Sequence, residues 1–268
     1  MKKEIKKIKL FINNDPKSIQ VGKNLREELL LNGFDIVNTN YDLAISVGGD
    51  GSFLRMLKNE KFNEHIYYIG VNAGTLGFLQ EIDINDTKNF VKRLSCNDFK
   101  IEELSIQKTL VKSNDNKVSY YSLNEIVVRK DDFSILKAQV LIDNELLEKF
   151  TGDGLLISTS TGSTAYNMSF GGAIIYNTLK TLAITPIAPL NNKVYKTLLN
   201  PLIVPNNKLI KISFNQRTNV FLMVDGVNYI HHDVLEIESK VSRKKIKCIR
   251  MNDYHFIKII NSKILENK

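Results

Sequence analysis

With 268 residues, 43% of them hydrophobic and 25% charged, the chain has the composition of an ordinary globular protein with one large or two modest cores. A formal charge of +8 raises nucleic acid or a membrane surface as partners. The dense basic runs, however, are confined to Lys2, Lys3, Lys6, Lys7 and Lys9 and to Arg243, Lys244, Lys245 and Lys247, and they read as two solvated faces rather than a polyanion or bilayer site. Cys96 and Cys248 are the only cysteines, so there is no disulfide framework and no metal-binding cysteine spacing. The apolar run Leu10-Phe11-Ile12 is far too short for a signal peptide or a membrane span, and a cytoplasmic protein is expected.

Residues 5–12 read as a first strand. Asp15 is a helix N-cap with Pro16 at the first helical position, and Ile19, Leu25, Leu29 and Leu30 give a helix face ending near Gly33. A strand over 34–37 follows, then the apolar run Leu43 to Val47, the turn Gly48-Gly49-Asp50-Gly51 and a helix whose face is Phe53, Leu54 and Leu57. Another buried strand spans 65–72 and ends in a second glycine-bearing loop, Ala73 to Phe78; Asp86 caps a helix running to Leu94. Strands alternating with helices imply a parallel sheet with flanking helices.

Beyond Phe99 the pattern becomes β-rich. Strands are expected over 101–112, 118–129, 134–142, 145–150, 208–214, 218–224, 233–239 and 245–250. The expected organisation is an α/β N-terminal domain, 1–98, joined by the tail 255–268, and a β-rich C-terminal domain, 99–254, with the ligand cleft between them. Within the tail, His255 to Ile264 reads as a strand crossing back to the first domain.

Two stretches carry chemistry. In the first, Asp50 stands where a strand hands over to a helix, the position at which open α/β sheets bind ligands, although a plain structural turn has the same composition. In the second, Thr159 to Tyr166, small hydroxyl residues and a glycine follow the strand Leu155-Leu156-Ile157, suiting a loop that closes on a nucleotide with Tyr166 against a flat ring. Asp225-Gly226 reads equally as a hairpin turn or as part of a site. His231-His232 with Asp233 reads as a surface turn rather than a metal site, because adjacent strand residues point to opposite faces.

Together with Gly70-Val71-Asn72-Ala73-Gly74, Leu76-Gly77-Phe78-Leu79, Leu123-Asn124-Glu125, Gly152-Asp153-Gly154, Asn191-Asn192 and Pro201-Leu202, these pieces resemble the NAD kinase family over almost the whole chain. The resemblance implies transfer of the γ-phosphate of ATP, or of polyphosphate, to the 2′-hydroxyl of the adenosine ribose of NAD, with Mg²⁺ or another divalent cation as cofactor. It implies that Asp50 acts as general base or as a polar anchor near the metal, and that Gly48, Gly49 and Gly51 offer backbone to phosphates. It further implies that Phe78, Asn124, Glu125, Ser163, Thr164, Ala165, Tyr166, Ser169 and Asp225 hold or wall the dinucleotide. Asp153 and Ala188 help across a subunit contact, which makes a homo-oligomer, dimer or tetramer, the working unit.

The sequence departs from the family pattern at Ser52, commonly threonine; at Ser160, commonly proline; at Val227, often glutamine; and at Thr151, basic in some members. The metal ligands cannot be named from the sequence. Two other readings stay open: a lipid or sphingoid kinase sharing the glycine loop, and a dinucleotide sensor without turnover.

Overall fold

The computed structural model describes residues 4–74, 77–114 and 116–265. In chain order the elements are β1 (Lys7–Ile12), α1 (Pro16–Leu31), β2 (Asp35–Ile36), β3 (Leu43–Gly48), α2 (Asp50–Asn59), β4 (Tyr67–Asn72), α3 (Thr87–Ser95), β5 (Phe99–Ser113), β6 (Lys117–Ser122) and β7 (Glu125–Lys130). Then come β8 (Leu136–Ile142), β9 (Glu145–Gly152), β10 (Gly154–Thr159), α4 (Tyr166–Ser169), β11 (Thr181–Ile187), β12 (Leu202–Pro205), β13 (Ile210–Val224), β14 (Val227–Met251) and α5 (Phe256–Ile260). The chain divides into two compact units: residues up to Leu104 with those from Lys245 onward, and Ser105–Lys244. β5 and β14 contribute residues to both.

The N-terminal unit is a parallel sheet in the order β4-β3-β1-β2, with Lys247 and Cys248 of β14 extending it beside β4. Every residue of β3 is buried, as expected of a parallel strand covered on both faces. Leu25 and Leu29 of α1 and Phe90, Val91 and Leu94 of α3 pack with Ile8, Ile45, Val47, Ile69 and Val71 into one core. The expected caps form: the Asp15 carboxylate accepts the Ser18 N–H at 2.9 Å, with Pro16 opening α1. Because β1 connects through α1 to β2 on one side and β3 through α2 to β4 on the other, the connections diverge between β1 and β3. That divergence is the topological switch point where such sheets leave a crevice for a ligand.

The C-terminal unit is antiparallel, ordered β12-β11-β10-β7-β13-β14, with β8 pairing β13 and β9, and β5 pairing β6. Its core gathers Ile126, Val128, Leu155, Ile157, Leu182, Ile184, Ile212, Val220 and Leu222.

Four expectations change. Residues 118–129 form two strands, β6 and β7, because the Asp225 carboxylate captures the backbone N–H groups of Leu123, Asn124 and Glu125 and takes them off the ladder. Conversely, 208–214 and 218–224 are one strand, β13, whose polar centre Asn215-Gln216-Arg217 marks register shifts rather than an end. Likewise 233–239 and 245–250 belong to the single strand β14, which also carries His231 and His232. Finally, the tail is helical, with α5 followed by a wide turn over Asn261–Leu265: Phe256 is buried and Ile259 and Ile260 half-buried, the i, i+3, i+4 spacing of a helix face.

One buried ion triad fixes the second glycine loop. Arg250 Nη1 donates to Glu81 Oε2 at 3.0 Å and Arg250 Nε to Glu102 Oε2 at 2.6 Å, with the guanidinium 4.4 Å from the centre of the Tyr254 ring. The Met251 N–H takes the second Glu81 oxygen at 2.9 Å. Burial pushes the Glu81 carboxyl up and Arg250 opposes it. Removing the arginine strands two carboxylates, so Arg250→Ala is expected to cost about 3–5 kcal/mol in urea denaturation. Adding Glu81→Gln to that variant should recover part of the loss.

Candidate active site

In the N-terminal unit the sequence places Asp50 at the first residue of α2, after the N-cap Gly49. Its carboxylate is held by the second glycine loop: Oδ2 accepts the Phe78 N–H at 2.8 Å and Oδ1 the Leu79 N–H at 3.0 Å. Gln80 Nε2 donates to the Gly49 carbonyl at 2.7 Å, completing the tie between the loops. The approach requires glycine at position 77, where a Cβ would lie 2.5 Å from Asp50 Oδ1. Burial pushes the Asp50 carboxyl up, while the amides of Phe78 and Leu79 and the charge of Lys263 pull it down. Each oxygen keeps a lone pair beyond its amide partner, so the group can still accept a proton from a ligand hydroxyl.

Asn13 follows β1 at the switch point, and Arg55, one turn into α2, reaches it: Arg55 Nη2 donates to Asn13 Oδ1 at 2.6 Å and to Ser52 Oγ at 3.0 Å. The guanidinium therefore lies beside Gly51, where a Cβ would stand 3.6 Å from Nη1. Neither Asn13 nor Arg55 is singled out by the sequence reading. The signal that points to Arg55 is its i, i+3 spacing from Ser52, which puts both on one helix face. Gly48, at φ +150°, lies in the range that favours glycine and has Ser52 Oγ at 2.5 Å from its would-be Cβ.

In the C-terminal unit, Asp225 is both turn and clasp. It sits at φ 46° with Gly226 at φ 78°, joining β13 to β14, and its carboxylate accepts from Leu123, Asn124 and Glu125 N–H at 2.7, 2.8 and 3.2 Å. This holds Asn124 and Glu125 at the head of β7. Asn124 Oδ1 and Glu125 Oε2 are buried and have no hydrogen-bond partner among the described residues. Burial and the neighbouring Asp225 charge raise the Glu125 carboxyl to about 8, against the Tyr166 N–H. Burial raises Asp225 to about 6, against its three amide donors. Asp225 has three amide donors opposing its upward shift and Glu125 one, so Glu125 is the more readily protonated of the two.

The hydroxyl-rich loop folds as a 3₁₀ turn, Thr161–Thr164, followed by α4. Thr159 Oγ1 donates to the Leu123 carbonyl at 2.5 Å and accepts the Gly162 N–H at 3.1 Å, locking the loop onto the strand junction. Gly162 lies so close to Asn124 that a Cβ there would overlap its backbone carbonyl. Ser163 is fully buried, and its hydroxyl is engaged with the Ser160 carbonyl and with the backbone of Ile175. Asn167, not anticipated from the sequence, ties the loop to β11: Thr185 Oγ1 donates to Asn167 Oδ1 at 2.6 Å. Thr164 is buried, Ala165 half-buried, and Tyr166 and Ser169 exposed, with the Tyr166 ring edge-to-face on Phe170 at 4.8 Å.

Asp153 and Ala188 share one rim. The Asp153 N–H donates to the Ile187 carbonyl at 3.0 Å, and Ala188 holds a left-handed φ of 43°. Ser160, with φ −59°, sits in the range proline would impose. Thr151 is buried and Val227 opens β14. His231 is spent on Tyr120, Oη to Nε2 at 2.9 Å. Among the described residues no group of three or more His, Cys, Asp or Glu gathers to hold a metal, and no helix is long and apolar enough to cross a membrane.

Comparison with known proteins identifies relatives of both units. The family model for the ATP-NAD kinase N-terminal domain matches residues 1–99, and that for the ATP-NAD kinase C-terminal domain matches residues 123–251. An NAD kinase of Finegoldia magna is 34% identical over 97% of this chain and 98% of its own length. One from Clostridium beijerinckii is 34% identical over 91% of this chain and 86% of its own. Among solved structures, yeast NADH kinase complexed with NADH superposes with a TM-score of 0.81 at 23% identity, covering 99% of this chain and 90% of that one. An NAD kinase from Archaeoglobus fulgidus in complex with ATP gives 0.78 at 20%, covering 96% and 98%. These two share the fold, and the curated relatives share the sequence across both units: the chain belongs to the NAD kinase family.

Proposed function

We propose that the protein transfers the γ-phosphate of ATP to the 2′-hydroxyl of the adenosine ribose of NAD, giving NADP and ADP, as a cytoplasmic homo-oligomer. The observation that carries this reading is the pair of buried, unpartnered polar atoms at the head of β7, Asn124 Oδ1 and Glu125 Oε2. Buried polar atoms without partners are costly and mark the place where a ligand supplies the missing hydrogen bonds. A protonated Glu125 donates and Asn124 Oδ1 accepts, a set that matches the hydroxyls of a ribose. The exposed Tyr166 ring offers a face to adenine. Asp153 and the left-handed Ala188 form a rim suited to a subunit contact.

In the reaction the ribose oxygen forms a bond to the γ-phosphorus, the bond from that phosphorus to the β,γ-bridging oxygen breaks, and the hydroxyl proton passes to Asp50. Arg55 supplies the cationic charge on the donor phosphates that a loop lysine supplies in other nucleotide sites. A divalent cation would be held largely by the donor phosphates. It would neutralise their charge.

The test is NADP formation from NAD, ATP and Mg²⁺, read by an NADP-specific dehydrogenase. Asp50→Asn should lower turnover by about 10²–10⁴-fold with NAD affinity retained. It also turns one acceptor into a donor facing an amide N–H, so stability should fall by about 1–3 kcal/mol in urea denaturation. NAD binding with no product from either ATP or polyphosphate would overturn the reading in favour of a sensor.

Arg55→Gln should raise the KM for ATP about tenfold with the KM for NAD unchanged, since the loss is one charge-assisted contact to the donor. For the Glu125–Asp225 pair the folded carboxyls titrate above the usual value of about 4. The stability they contribute is therefore present below about pH 4 and lost as pH rises through about 8. Glu125→Gln should flatten the fall in Tm between about pH 5 and 8.

A further inference from the structure

The C-terminal unit carries a second concavity, of about 780 Å³, formed by residues not used above. Lys108 comes from β5, Tyr121 from β6, Asn207 from the turn after β12, and Lys240, Arg243 and Lys244 from β14. No carboxylate lines it. Elsewhere on the same unit lysines are compensated: Lys112 lies 2.6 and 2.8 Å from Glu236 and Glu238, and Lys208 lies 2.7 Å from Asp143. Among the described residues, Lys108, Lys240, Arg243 and Lys244 make no ion pair.

The sequence alone shows only the run at 243–247, which reads as a solvated face. Folding brings Lys108 and Lys240 to it from other positions along the chain and makes a concave cluster. Two of the cations are held in place by one ring, the ammonium groups of Lys244 and Lys108 lying 5.3 and 6.0 Å from the centre of Tyr121. Four like charges round one concavity repel, and an anion entering it relieves the repulsion while gaining charge-assisted hydrogen bonds. The volume is that of a small-molecule site rather than a groove for a chain.

We propose that this concavity binds a di- or triphosphate chain, free or attached to a nucleoside, at a site separate from the one that carries the proposed phosphoryl transfer. The cations hold the phosphate oxygens, and the side-chain amide of Asn207 adds a neutral donor. The proposal does not depend on the reading of Asp50, Asn124 and Glu125.

The experiment is calorimetric titration of the full chain with sodium tripolyphosphate, in wild type and in Lys240→Gln/Lys244→Gln. The double variant is expected to bind one equivalent fewer, or about tenfold more weakly, with NADP formation from NAD and ATP unchanged. Identical stoichiometry and affinity in the two proteins would overturn the proposal. Without ligand the double variant should melt at or above the wild-type temperature, since repulsion is removed; if it fails to fold, the exposed Arg243→Gln provides the same comparison. With ATP as the titrant, an equivalent lost in the double variant at the affinity of tripolyphosphate identifies the phosphate chain as sufficient, and one lost at higher affinity identifies a nucleotide; either loss supports a phosphate site, and no loss with either titrant overturns it. Absence of NADP formation with tripolyphosphate binding intact would count against the kinase reading alone.

Discussion

The clasp of the Asp50 carboxylate by the backbone of Phe78 and Leu79 sets the geometry of the N-terminal unit's chemistry. An aspartate at the start of a helix is ordinarily free to turn into solvent. Here two amide donors, each spent on a different oxygen, fix the carboxylate plane and join the loops that follow β3 and β4. The Gln80 side chain and the buried Glu81–Arg250 pair extend that tie into the core. A carboxylate held in this way has little freedom left to lose, the condition for efficient positioning under the proposed role of Asp50.

The C-terminal unit uses the same device for a different end. Asp225 collects three consecutive amides and, by doing so, interrupts what would be one long strand. The interruption leaves Asn124 and Glu125 with polar atoms aimed away from the ladder. One carboxylate takes three amide donors, and its neighbour, with only the Tyr166 N–H, is pushed further up. Two buried acidic side chains at one strand junction are thus shifted to different extents, by burial, by each other's charge and by how many amides each accepts.

Much of this is legible in the residues. The Asp15–Pro16 start of α1, the all-apolar β3 and the glycine turn before α2 are local patterns, and local patterns survive folding. The differences concern features decided at a distance. Nothing near Ser122 announces that Asp225, about a hundred positions on, will withdraw the amides of 123–125. The isoleucines of the tail favour a strand by propensity, yet the tail buries Phe256 and half-buries Ile259 and Ile260 at helical spacing. Among candidate site residues, Ser163 stands out by its place in a hydroxyl-rich run; that its hydroxyl engages the backbone of Ile175 depends on a loop that closes only in three dimensions. Arg55 escapes a reading of the sequence for the same reason, its significance resting on Asn13 across the switch point.

The path of β14 has a consequence for how the molecule is made. Lys247 and Cys248 complete the parallel sheet beside β4, and Arg250 neutralises Glu81 and Glu102, yet all of them are translated after the whole antiparallel unit. A nascent chain paused at residue 240 therefore holds two buried-to-be carboxylates with no counter-ion and a second glycine loop with no anchor. The N-terminal unit therefore completes its fold only after the antiparallel unit has been translated, and the Asp50 clasp reaches its final form with it.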